Sequence, residues 1–184
     1  MTRIFLTLSF FGTALIAMTF FLGLGIDDPR VNDPEVQSSV STHMLTGLGS
    51  LCFAALVHAI TFTYFMGTGR WIEETSRAYK LPEDAYRENQ SVKYRLLPGI
   101  FIAFLMLVMT GAFGAMADPA TGGGYTGWFG MSPATVHLVF GTLTVIVNLA
   151  VNVHEFRSVE RNKDIVDGVM SEVRRIRTER GLPV

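Results

Sequence analysis

Four stretches of this chain, residues 4–26, 42–66, 96–117 and 134–154, contain no Asp, Glu, Lys or Arg. At about 1.5 Å of rise per residue, each is long enough to cross roughly 30 Å of hydrocarbon as a helix. Inside lipid the backbone must satisfy its own hydrogen bonds, and helices do so within one segment. Four spans of this kind predict an all-α integral membrane four-helix bundle. The first run is too long for the apolar part of a signal peptide, and no small-x-small site follows it, so it is expected to be retained.

The span ends carry local signals. Ser41 or Thr42 is expected to cap the second helix. Pro98 is expected in the first turn of the third, where its missing N–H costs little, and Ser132-Pro133 opens the fourth in the same way. Asp118-Pro119 ends the third helix, and Gly122-Gly123-Gly124 keeps the next connection irregular.

Charge sets the orientation. Of 15 basic residues, 14 fall at the N-terminus, between the second and third spans, or after the fourth. Only Arg30 lies on the opposite side, among Asp27, Asp28, Asp33 and Glu35. Positively charged segments stay cytoplasmic, which predicts an inner or plasma membrane protein with both termini and a 67–95 loop inside. Tyr125, Trp128 and Phe129 suit the outer interface, and Trp71 the inner one. Residues 1–155 then form the membrane domain, and 156–184 a cytoplasmic tail. Val159, Ile165, Val166, Val169, Val173 and Ile176 recur along that tail among charges, the pattern of an amphipathic C-terminal helix. It is expected to lie on the membrane, to dock on a partner, or to extend the fourth span as a solvated helix.

Composition excludes several functions. A net charge of −1 gives no basis for binding nucleic acid. A single cysteine, Cys52, forbids an intrachain disulfide and any cysteine-built zinc or iron–sulfur centre. No Ser–His–Asp set, phosphate-cradling glycine loop or carboxylate pair is present, so an independent enzyme is not expected.

The four histidines fall on two helices only: His43 and His58 on the second, His137 and His154 on the fourth. Histidine in or beside a membrane span is costly and marks function. In an up-and-down bundle these two helices run the same way, so His43 and His137 share the outer level, and His58 and His154 the inner one. The separations are 15 and 17 residues. The face carrying His43 also carries Gly47, Ser50, Ala54 and Thr61, and that of His137 carries Gly141, Thr144 and Asn148. Gly23, Gly25, Gly111 and Gly114 add small residues from the first and third helices. Two imidazoles and a stripe of small residues are what a buried haem requires. The same stripe also serves plain helix packing. His154 stands about 100° from the face of His137 on a straight helix.

This pattern resembles the haem-binding four-helix bundle of the cytochrome b superfamily, in which the second and fourth helices each give two histidines to two stacked b-type haems. The likeness covers roughly residues 1–155 and is architectural, resting on His43, His58, His137, His154 and the helix count. It implies a membrane electron-transfer subunit carrying two haems b, working with other membrane or peripheral redox subunits, with quinone as a further candidate ligand. Thr46, Ser50, Thr144 and backbone carbonyls are candidate acceptors for the imidazole N–H groups. Two other classes remain open: a cofactor-free structural or assembly subunit, and a histidine-based metal handler. Against the handler, the four spans hold no acidic residue and do not repeat a Met-x-x-Met pattern, and Asn148 and Asn152 suit bonds between helices.

Overall fold

The computed structural model describes residues 1–121 and 124–183. Four long helices account for nearly all of them: α1 (Thr2–Leu24), α2 (Pro34–Tyr79), α3 (Asp84–Ala117) and α4 (Pro133–Glu179), with a short 3-10 turn at Pro119–Thr121. Each is long and apolar enough to cross a membrane. The helices run up and down in a ring, each touching its two neighbours in sequence and α4 closing on α1. Across the ring α2 touches α4, while α1 and α3 do not meet. The two histidine-bearing helices therefore face each other through the bundle centre.

The charge-free runs located the spans but not the helix ends. Helix α2 begins at Pro34, capped by Asp33, whose Oδ1 accepts from the Glu35 N–H at 2.9 Å and the Val36 N–H at 3.3 Å. Thr42 lies inside the helix and bonds back to the Ser38 carbonyl. A carboxylate facing free N–H groups is a better cap than a hydroxyl deeper in the apolar run. Pro98 is likewise interior, because α3 starts at Asp84. The other two boundary signals hold: Ser132 caps α4 over Pro133, and Asp118 closes α3. Gly122 and Gly123 lie outside the described residues.

The expected 67–95 loop is mostly helix, with α2 and α3 meeting at a tight turn through Lys80–Glu83. At roughly 1.5 Å per residue, the 47 residues of α4 reach roughly 70 Å, far beyond a bilayer core. At the basic end, α2, α3 and α4 continue together around Ile72, Ile165, Val169 and Val173, with Tyr79, Leu81 and Tyr86 against them. The apolar stripe of the tail is thus covered by the chain's own helices.

In the spans the outward surface is strongly apolar, and the interior mixes polar with apolar side chains. Phe10, Phe21, Phe101 and Val108 are each more than 60 % exposed. The buried positions include Ser50, His58, Thr61, Thr144, Asn148, Asn152 and Glu155. Exposed apolar side chains in such density would be an association surface in water, and lipid is the solvent that suits them.

Candidate functional site

His43 and His137 come together near the end of the bundle away from the basic segments. Their ring centroids are 6.0 Å apart, with the planes at 75°. Each ring lies on a glycine of the helix paired with its own. A Cβ on Gly23 of α1 would stand 2.7 Å from His43 Cε1, and one on Gly114 of α3 would stand 2.9 Å from His137 Cε1. Only glycine lets the imidazoles lie this close to a neighbouring backbone.

One level further in, Ser50 hydrogen-bonds Thr19 at 3.4 Å, and Thr144 meets Thr110 at 2.6 Å. His43 Nδ1 shares a 3.0 Å bond with the Thr19 carbonyl, whereas His137 Nδ1 makes no hydrogen bond among the described residues. The arrangement is an internal repeat. Thr-x3-Gly on α1 and α3 faces His-x3-Gly-x2-Ser/Thr on α2 and α4, as Thr19/Gly23 with His43/Gly47/Ser50 and Thr110/Gly114 with His137/Gly141/Thr144. The two hairpins α1–α2 and α3–α4 are thus related by an approximate two-fold axis along the bundle. Gly47 keeps its place beside Thr19 Cγ2, 3.4 Å from where a Cβ would be, and Gly141 stands clear of Phe20 at 4.0 Å.

The inner level differs from expectation. His58 is fully buried, but its Nδ1 lies 3.0 Å from Oε2 of Glu155, also fully buried. His154 is exposed on the outside of α4 and does not approach His58. The physical reason is helical phase: His154 sits about 100° off the His137 face, whereas Glu155, 18 residues on, completes five turns and returns to it. In the repeat, the residue on α4 that matches His58 is Asn152, since each stands 15 positions after its outer histidine.

Glu155 was the residue that charge-free windows could not find, because it ends one. A signal did exist: Asn148, Asn152, Glu155 and Asn162 follow one face of α4 at helical spacing and are all buried. Asn162 joins Asn89 of α3 at 2.6 Å and Thr68 of α2 at 2.9 Å. Of the candidate acceptors, Thr46 bonds to the Thr42 carbonyl, and the imidazole of His43 takes the Thr19 carbonyl instead. Among the described residues no three His, Cys, Asp or Glu side chains gather as a metal cluster. No protein-family model, curated protein or solved structure matches the chain.

Proposed function

We propose that the chain is a membrane electron-transfer subunit that holds a b-type haem between His43 and His137, with its basic end in the cytoplasm. The carrying observation is the two-fold pairing of those imidazoles. Two imidazoles that shared one metal ion, each at about 2 Å through a ring nitrogen, would have ring centres about 6 Å apart. The rings here stand at 6.0 Å.

The donor set fits in chemistry as well as spacing. A site with two protein ligands suits an iron whose remaining positions a macrocycle fills, whereas a structural zinc site takes four protein ligands. With Nδ1–H of His43 given to the Thr19 carbonyl, Nε2 is left as the free ligand atom, which is how metal-bound histidines are oriented. His137 Nδ1 is buried without a hydrogen-bond partner, so its ring has a polar atom still to be satisfied. Gly23 and Gly114 bring the rings against α1 and α3, while Gly47 and Gly141, and one level further in Ser50 and Thr144, continue the same two faces. The haem supplies one-electron redox chemistry. The protein fixes the ligand tautomer and keeps water away. Other redox subunits are the partners this role requires, with quinone a candidate acceptor. The inner level offers one imidazole held by a carboxylate, so the proposal stops at one haem and gives His58 and His154 no ligand role.

An absorption spectrum of the purified protein, oxidised and reduced, tests this. A Soret band and a reduced α-band of b type are expected. Both should disappear in His43→Ala and in His137→Ala and persist in His154→Ala. Protein with no Soret band, or haem untouched by either substitution, would return the chain to the class of cofactor-free subunits.

A further inference from the structure

A second polar band crosses the bundle about four turns from the outer histidines and has no part in their site. It contains the His58–Glu155 pair, both side chains 0 % exposed, with Thr61 beside them. Asn152 Nδ2 donates to Thr13 Oγ1 at 3.2 Å, tying α4 to α1. Four buried polar atoms of this band lack a hydrogen-bond partner: His58 Nε2, Glu155 Oε1, Asn148 Nδ2 and Asn152 Oδ1. Apolar layers close it on both sides. Ile16, Ala54 and Leu107 lie toward the outer histidines, and Phe65, Leu96, Ile100 and Val159 toward the basic end.

No other ionisable side chain among the described residues faces the pair. From α3 it meets the ring of Phe104, 6.0 Å from that of His58. Lys93 of α3 and Tyr64 of α2 come only at or beyond the apolar layer on the basic side. On α4, His154 and Arg157 flank Glu155 in sequence but are exposed. The one ionisable side chain of α1, Arg3, is exposed as well.

We infer that His58 and Glu155 form a proton-binding site within the membrane-spanning part of the bundle. A buried charge with no counter-charge is heavily penalised. Holding one proton between them, the two groups are neutral as a pair, either as imidazolium and carboxylate or as imidazole and carboxylic acid. One proton from water joins an imidazole and a carboxylate to give that neutral pair, and its release restores them. No electron moves and no co-reactant is needed. The unpartnered amide, imidazole and carboxylate atoms are places where water can bind, and such water is the carrier a proton needs to reach the pair. A merely structural tie does not call for ionisable groups here. Asn152 with Thr13, and Asn162 with Thr68, already join the helices by neutral bonds. An ionisable pair inside a span is costly and marks function, and proton relays are among the uses it serves. This inference does not rest on the haem proposal.

The test uses the full chain in lipid bilayers, with nitrogen-labelled histidine and carboxyl-labelled glutamate read by solid-state magnetic resonance. His58→Gln and Glu155→Gln assign the two signals by their loss. Across the pH range in which the unaltered protein stays folded, both of its resonances are expected to shift together along one single-proton curve. In Glu155→Gln the His58 curve should move by at least about tenfold in proton concentration, because a coupled pair titrates as a unit. Fixed resonances across that range in the unaltered protein would overturn the inference whether or not the variants fold. An unmoved His58 curve in Glu155→Gln would overturn it too. Haem content does not enter either readout.

Discussion

Gly23 and Gly114 are the positions where a single methyl group decides the geometry of the histidine site. An added Cβ falls 3.1 Å from His43 Nδ1 in one case and 3.2 Å from His137 Nδ1 in the other, with the Cε1 atoms nearer still. The rings are held by packed helices, so the clash moves the imidazole rather than the backbone. Gly23→Ala and Gly114→Ala are each expected to lower thermal stability by about 1–3 kcal/mol and to cut the haem-to-protein ratio. Gly49→Ala and Gly67→Ala, where an added Cβ meets nothing within 4 Å, should change stability by less than about 1 kcal/mol and leave the ratio alone. Equal behaviour of the two sets, in melting curves and in haem content, would show that the glycines are only helix packing. Residues of this kind were legible in the sequence as small groups near histidines, and the outer histidine pair was legible from depth alone. Glu155 was not. Counting charges defines a span by where they stop, so a charge that turns inward at the last turn is read as the end of the span.

At the scale of elements, what lipid dictates and what water dictates parted company. Hydrophobic windows fix where a helix must exist, but outside the bilayer the ends are set by caps and by the pairing of polar helices. That is why Asp33 and Ser132, rather than the first apolar residues, begin α2 and α4. Pro98 shows the reverse case. Inside the run of α3 but exposed on its surface, it gives up the bond to the Tyr94 carbonyl at the join between the basic extension and the apolar run, where a bend is tolerated. The turn after α2 carries a cost of its own. Lys80 adopts φ 56°, and the Lys80 and Leu81 N–H groups close on the carbonyls of Arg77 and Ser76. Leu81 then packs into the core beside Ile72. This is the left-handed C-cap that glycine fills without strain. Lys80→Gly is therefore expected to stabilise the protein by roughly 0.5–1 kcal/mol, read as a raised melting temperature with unchanged helix content. A lowered melting temperature would mean that the lysine side chain contributes more than its backbone costs.

Over the whole molecule, the two-fold relation between hairpins and the polar groups held at the bundle centre belong together. The repeat escaped a reading by sequence similarity because only five positions in each hairpin keep it, and those positions face the axis. Much of the remainder faces outward, where any apolar residue serves, and the rest packs in apolar layers such as that of Ile16, Ala54 and Leu107. Charge breaks the symmetry along the axis, since every basic residue but Arg30 lies at the end where α2, α3 and α4 project. A bilayer reads that asymmetry through its retention of positive segments on the cytoplasmic side. The orientation can be checked in a Cys52→Ser background, into which Thr126→Cys or Ser171→Cys is introduced. Both new positions are exposed, one in the segment between α3 and α4 and the other on the far extension of α4. A membrane-impermeant maleimide added to intact cells should label Thr126→Cys at once and Ser171→Cys only after lysis. The opposite pattern would place the outer histidines on the cytoplasmic side. The electron donor or acceptor nearest the His43–His137 centre would then have to be a cytoplasmic one, and charge would have failed as the guide to how this bundle sits.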